Sequence, residues 1–301
     1  MYIKVYCILA HKNPNQIKDL VTLLQDNKSL FFIHLDKKVN QKEYEEALEN
    51  ESCHFIKNRV LCSWGKYSLV QATLNSMKEV QDFMNVNYAA SSYHFILLSG
   101  EDLPLKNNEY LHDFLQTNSQ TSFINYWQLP YDKWWQGGFF RLENFYFFQY
   151  KKYPKLNYWV NRIIKKLRFN FVFPLNRFNK QFPDFKIYGS KQWMLLNKDL
   201  LAFVLEKNHK NLGFNSIFKY ALAPDELYFA TLILNYDKEK NFSINNMSTH
   251  LVSFNGSDAS PKYLEIEDLK INDETNLLFA RKFDPNVNKE TIGFIKEKNL
   301  K

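Results

Sequence analysis

Apolar positions along this chain fall into two patterns. Tyr2 to Leu9 is an almost unbroken apolar run, the signature of a strand buried on both faces. Leu30 to Leu35, His54-Phe55-Ile56 and Tyr93 to Leu98 repeat it. Between them, Pro14 to about Gln25, Glu43 to Leu48 and Ser68 to Phe83 carry apolar residues at helical spacing. Strand–helix alternation of this kind predicts right-handed crossovers and a parallel sheet. Further along, Ser122 to Tyr126, Ile187 to Leu196 and Met247 to Phe254 read as strands, and Asp199 to Glu206 and Leu227 to Leu234 as helices. Pro224 suits the first helical position, with Asp225 and Glu226 following in a first turn whose dipole favours acids.

In an open α/β sheet, ligands bind beyond the carboxyl ends of the strands. His11, Lys12, Asp36 and Lys37 are expected on that edge, and Asp36 there is a candidate acceptor of hydrogen bonds from a ribose or uracil. Position alone fits a solvated loop charge equally well. Gly100 and Asp102 follow the fourth strand, where glycine permits close backbone approach. No Asp-x-Asp occurs anywhere in the chain. Without a dense carboxylate pair, a tightly held Mg²⁺ or Mn²⁺ is not expected, and side-chain cations must neutralise any phosphate.

Composition sharpens the picture at one place. The chain has 301 residues, 45% hydrophobic and 17% aromatic, with a formal charge of +7 that favours anionic partners. From Trp127 to Phe173 aromatic residues alternate with lysine and arginine. Flat rings there suit sugars; rings with cations also suit single-stranded nucleic acid or a membrane surface. Residues 155–169 form a basic amphipathic helix, and its apolar face packs equally well onto the core. Three cysteines make no disulfide framework or metal spacing, and no apolar run approaches 18 residues, so no transmembrane helix is expected.

Seven short stretches, in order, carry a resemblance: Ala10-His11-Lys12, His34-x-Asp36-x-Lys38, Ser63-Trp64-Gly65, Leu98-Ser99-Gly100-x-Asp102-x-Pro104, Gly189-Ser190-x-Gln192-Trp193, Pro224-Asp225-Glu226 and Phe279-Ala280-Arg281-Lys282-Phe283. Together they resemble the core-2/I-branching β-1,6-N-acetylglucosaminyltransferase family, which includes the peptide O-xylosyltransferases (glycosyltransferase family 14), in a bacterial-type member. The resemblance implies a GT-A-like α/β fold with a mixed, mostly parallel sheet, a UDP-sugar donor, inversion and independence from metal or other cofactor. It implies Glu226 as general base, Lys282 with neighbouring Arg281 on the diphosphate and Asp36 on the nucleotide. Lys262 stands where the family's partnering arginine would be, and His11, Trp64, Gly100 and Asp102 complete the expected donor side. Trp135, Arg141, Gly189, Ser190, Trp193 and Asp225 are expected on the acceptor side.

The expected organisation is one glycosyltransferase domain over 1–301, with a nucleotide-binding half (1–125) and an acceptor-binding and catalytic half (126–301). The animal family's membrane anchor and cysteines are missing, which points to a cytoplasmic enzyme, with room for peripheral contact at the inner face of the plasma membrane. N-acetylglucosamine is the expected sugar and xylose the variant, the acceptor being a glycan or glycolipid. A non-catalytic carbohydrate- or nucleic-acid-binding module is the rival. Acids at His34-Leu35-Asp36 and Ser99-Gly100-Glu101-Asp102, where a nucleic-acid groove is basic, argue against nucleic acid.

Overall fold

A computed structural model describes residues 1–49, 51–237, 240–255, 260–271 and 276–300. Its first third alternates strand and helix: β1 (Tyr2–Ala10), α1 (Pro14–Leu24), β2 (Ser29–Leu35), α2 (Lys42–Ala47), β3 (Cys53–Phe55), α3 (Ser68–Asn87) and β4 (Ser92–Ser99). There follow β5 (Asp102–Pro104), α4 (Asn108–Thr117), β6 (Thr121–Gln128), α5 (Pro154–Lys166), α6 (Pro174–Gln181) and β7 (Tyr188–Asn197). The rest comprises α7 (Lys198–Lys210), α8 (Leu212–Phe218), α9 (Tyr228–Tyr236), β8 (Ser243–Asn245), β9 (His250–Val252), α10 (Ile266–Ile271), β10 (Phe279–Arg281) and α11 (Lys289–Leu300).

Seven strands form the central sheet in the order β3-β2-β1-β4-β7-β6-β8. All neighbours are parallel except β7, which runs antiparallel to β4 and β6. The sheet is therefore mixed and mostly parallel, a GT-A-like arrangement. Successive side chains of a strand point to opposite faces, so β1 feeds two cores. Ile3, Val5 and Cys7 join one with α3, α7, α8 and α9; Tyr6, Ile8 and Ala10 join the other with α1, α4 and α11. A second sheet, β5-β10-β9, sets Arg281 opposite Asp102.

Two expectations change. The strand over Met247–Phe254 shrinks to His250–Val252. Asp225 and Glu226 do not lie in the first turn of the following helix. Ala223 is left-handed (φ 46°), Pro224–Glu226 form a single 3₁₀ turn, and Leu227 (φ −129°) interrupts it before α9. Leu227 is fully buried, and its side chain belongs to the α9 core. Seating it there leaves the acids on a separate tight turn, closed by i→i+3 bonds from Glu226 and Leu227 amides to Ala223 and Pro224 carbonyls.

Candidate active site

The parallel strands β1, β2, β4 and β6 end on one edge, and β7 starts there. The Pro-Asp-Glu turn is fastened beside it. The Ala223 amide donates to the Gly65 carbonyl at 3.0 Å, and the Leu222 amide to the Arg141 carbonyl at 2.9 Å. Gly65 has φ +70°, a left-handed conformation open to glycine without Cβ strain. The Ser63-Trp64-Gly65 turn thus braces the acids. Trp64 itself is exposed, with the Lys151 ammonium 3.8 Å above its ring.

Glu226 is half-exposed, and Arg141 Nη1 donates to its Oε2 at 2.5 Å. The guanidinium in turn lies 3.9 Å from the Trp134 ring centre, and Trp134 meets Trp127 edge-on at 5.0 Å. Gly189 fits under this stack, because a Cβ there would collide with the Trp127 indole and come within 3.0 Å of Trp134. Gly189, Trp127, Trp134 and Arg141 therefore form a graded support that aims Arg141 at Glu226. Gly189 acts here by packing, and Ser190 beside it is buried. Trp135, expected to bind acceptor, stands 68% exposed beside Phe140. The adjacent Trp134 is the ring that holds Arg141. Sequence reasoning missed Trp134 because neighbouring tryptophans in a loop have no periodicity to say which turns inward; the run Gln136-Gly137-Gly138, all at positive φ, decides it.

Asp225 is buried, and its Oδ1 has no hydrogen-bond partner. Burial, reinforced by the charge of Glu226, pushes its carboxyl up to about 7. The folded protein thus binds this proton more tightly than the unfolded chain does. The associated stability is complete below the ordinary carboxylate range and is lost as pH rises through about 7. Asp225→Asn, which does not titrate, is therefore expected to gain roughly 2–3 kcal/mol on wild type between pH 5 and pH 8. Denaturant melts at the two pH values check this, and an equal effect at both would remove Asp225 as the titrating group.

A second cluster occupies the strand ends nearer β1. Lys12 Nζ lies 2.8 Å from Glu101 Oε1 and 3.0 Å from Asp284 Oδ2, which raise its ammonium pKa against the opposing pull of burial. Lys282 Nζ is 3.9 Å from the same Glu101 oxygen and 4.6 Å from the Tyr263 ring centre. The two lysines thus share one acid. Lys12 was foreseen on this edge but not as a partner of Lys282; only the fold brings residues 12, 101, 282 and 284 together. Asp36 accepts from the Lys38 amide at 3.1 Å and pairs with its ammonium at 3.0 Å. His11 is held neutral more firmly than a free imidazole by burial, although Glu101 opposes this.

Several expected donor-side residues occupy supporting places. Asp102 is fully buried and accepts from the Ser99 amide and hydroxyl, both at 2.7 Å. Burial pushes its carboxyl up, but Arg281, His250 and Ser99 outweigh that and hold it below the usual range. It faces inward and positions Arg281, whose Nε is 3.7 Å away. Trp193 is likewise buried, stacked on His250 at 5.4 Å and under the Arg281 guanidinium at 4.3 Å, so it backs a cation rather than facing an acceptor. It sits where β7 holds three residues, 191–193, against Asn125 of β6, a bulge that re-aims side chains. The close approach at Gly100 is to Ile17 and Ala10 of the protein's own core. Lys262 spends its charge on Asp268 at 2.8 Å, although its segment runs alongside Lys282 through the Leu264 amide. Among the described residues, no group of three or more His, Cys, Asp or Glu side chains is placed to hold a metal ion.

Comparison with known proteins agrees with this architecture. The family model described as Core-2/I-Branching enzyme matches residues 5–278. A protein named Xylosyltransferase from Ciona intestinalis is 24% identical over 311 residues, covering 96% of this chain and 33% of that protein. Xylosyltransferase 2 from Canis lupus familiaris is 24% identical over 318 residues, with the same two shares. Xylosyltransferase oxt from Drosophila melanogaster is 23% identical over 308 residues, covering 94% of this chain and 32% of that protein. The chain thus spans about a third of the length of the curated relatives it matches. With nearly its whole length matched in order, the chain belongs to the core-2/I-branching enzyme family of glycosyltransferases, family 14.

Proposed function

We propose that this chain catalyses inverting, metal-independent transfer of a sugar from a UDP-sugar to a hydroxyl of a glycan acceptor. One observation carries the reading. Glu226 has one oxygen held by Arg141 and no partner on the other among the described residues, at the edge where the strands end. A carboxylate so aimed is placed to take a proton from an attacking hydroxyl. The hydroxyl oxygen bonds to the anomeric carbon from the face opposite UDP, its proton passes to Glu226, and the bond to the β-phosphate oxygen breaks. One base suffices, because UDP leaves without protonation by a second carboxylic acid.

The charge that grows on the β-phosphate then needs cations. Lys282 is assigned that task, with Arg281 and Lys12 beside it. Lys12 and Lys282 both lie against Glu101, an anion that a diphosphate would replace as their partner. Asp36 is assigned to the nucleoside. The metal-independent reading rests on these side-chain cations. N-acetylglucosamine remains the sugar expected from the family resemblance, while the names of the xylosyltransferase relatives favour xylose as the second reading.

The test is a screen of UDP-GlcNAc, UDP-xylose, UDP-galactose and UDP-glucose for binding and slow hydrolysis, with and without EDTA. One of the four is expected to bind and hydrolyse with EDTA present. Binding of none would overturn the donor assignment, and activity lost to EDTA and restored by Mn²⁺ would overturn metal independence.

A further inference from the structure

The helix α5 is turned the wrong way round for a helix that belongs to a core. Its buried side chains are two asparagines, Asn157 and Asn161. Each clamps the backbone of the preceding loop from both sides. Asn157 accepts from the Phe148 amide at 3.0 Å and donates to the Phe148 carbonyl at 3.1 Å. Asn161 does the same with Phe145, at 2.7 and 3.0 Å. The helix is therefore fixed in orientation mainly by hydrogen bonds, with Val160 and Ile164 half-buried beside the asparagines.

The other apolar residues face away. Leu156, Trp159, Ile163 and Leu167 recur at i, i+3, i+7 and i+11, one stripe along the helix, and each is 43–56% exposed. Phe169 and Phe171 continue the exposed apolar surface beyond the helix end. Of the apolar face that the sequence allowed to pack onto the core, only Val160 and Ile164 are half-buried, and the rest stays outside. Charge is as one-sided as hydrophobicity. Residues 144–183 contain six lysines and three arginines and not one aspartate or glutamate. Lys155, Arg162, Lys165 and Lys166 are exposed on α5 itself, and Arg162 lies 5.3 Å from the Trp159 ring centre.

A rigid helix that offers an apolar stripe flanked by cations matches an interface whose outer layer is anionic and whose interior is hydrocarbon. We propose that α5 and the Phe169–Phe171 segment dock this protein on the surface of a bilayer containing acidic phospholipid. No helix among the described residues is long and apolar enough to cross a membrane, so the contact is peripheral. The charge complementarity selects lipid over a second copy of this chain, since two copies of so basic a face repel.

The patch is also joined to the candidate active site. Lys66, next to the turn that braces Glu226, donates to the carbonyls of Tyr146 and Phe147 at 2.5 and 2.9 Å. Lys151 covers Trp64, and the Tyr146 amide donates to the Tyr220 carbonyl at 2.9 Å. Docking by α5 would therefore hold the turn that braces Glu226 close to acceptors carried in the same membrane, a consequence that rests on the proposed transfer reaction. The docking itself does not rest on it.

The experiment measures binding of the intact chain to vesicles of phosphatidylcholine alone and mixed with phosphatidylglycerol, by co-sedimentation at low and high salt. Binding is expected to the mixed vesicles only and to weaken with salt. Lys165→Glu with Lys166→Glu, both exposed, should lower apparent lipid affinity at least about tenfold while leaving the circular dichroism spectrum unchanged. Brominated phosphatidylcholine in the mixed vesicles should quench tryptophan fluorescence in wild type and much less in Trp159→Phe. Failure to bind the mixed vesicles at low salt, or equal binding by the charge-reversed variant, would overturn the proposal. So would a sedimentation equilibrium in which wild type is a dimer and Ile163→Glu with Leu167→Glu a monomer, because the face would then belong to a second copy. None of these readouts uses turnover, so a wrong reaction and a wrong docking surface fail separately.

Discussion

Glu226→Gln is expected to lower kcat by roughly two to four orders of magnitude, the usual scale of a positioned general base. Affinity for UDP should be nearly unchanged. The replacement is close in shape, and Arg141 Nη1 keeps an oxygen acceptor where it now meets Glu226 Oε2. That contact turns the amide nitrogen toward the acceptor side, where it cannot take a proton. The tight turn from Pro224 to Glu226 is held by backbone bonds to Ala223 and Pro224, which the substitution leaves in place. The measurement is steady-state kinetics with the donor identified by the UDP-sugar screen, alongside calorimetric UDP binding. Turnover within a few-fold of wild type would remove Glu226 from the proton-transfer step.

Lys282→Ala should act on the other partner of the reaction. A hydrogen bond to a charged group contributes about 1.5–3 kcal/mol, so UDP affinity should fall roughly 10- to 100-fold. Turnover should fall as well, because charge on the β-phosphate is greater in the transition state than in the bound donor. The loss has a structural consequence that distinguishes it from simple misfolding. Glu101 would keep Lys12 at 2.8 Å as its partner, so the acid is not left bare, and thermal stability should change little. Donor affinity equal to wild type would exclude Lys282 from the diphosphate site and shift attention to Arg281 and Lys12.

Much of the fold was legible along the chain because its strands are apolar on both faces. Val5, Cys7 and Ile8 have to be buried on one side or the other, so an uninterrupted run is the physical consequence of a sheet covered by helices. The carboxyl-end rule then places His11, Lys12 and Asp36 on one edge from the strand order alone. Short strands escaped this logic. β5 and β10 have three residues each and are defined by pairing with one another, a contact 175 or more positions apart in sequence. Helix α5 was legible as an amphipathic helix but not in its orientation. Periodicity reports that a stripe exists, not which side meets the body, and here two asparagine clamps decide it.

The candidate site divides in the same way. By itself the sequence determined the residue types: an acid pair after proline, lysine and arginine in the penultimate stretch, glycines at turns, and tryptophans near them. Only the tertiary structure separated side chains that face the strand-end edge from those that hold them. Asp102 and Trp193 have the same chemistry as a ligand-binding acid and ring, yet both are buried against Arg281. Trp134 and Trp135 are adjacent, yet one carries Arg141 and the other stands in solvent. The physical reason is that a side chain's role depends on which face of its element is closed by packing, and that closure is made by residues far away in the chain. Glu226 shows both halves: its place after Pro224 is written in the sequence, while the guanidinium that aims it, 85 positions upstream, arrives only with the fold.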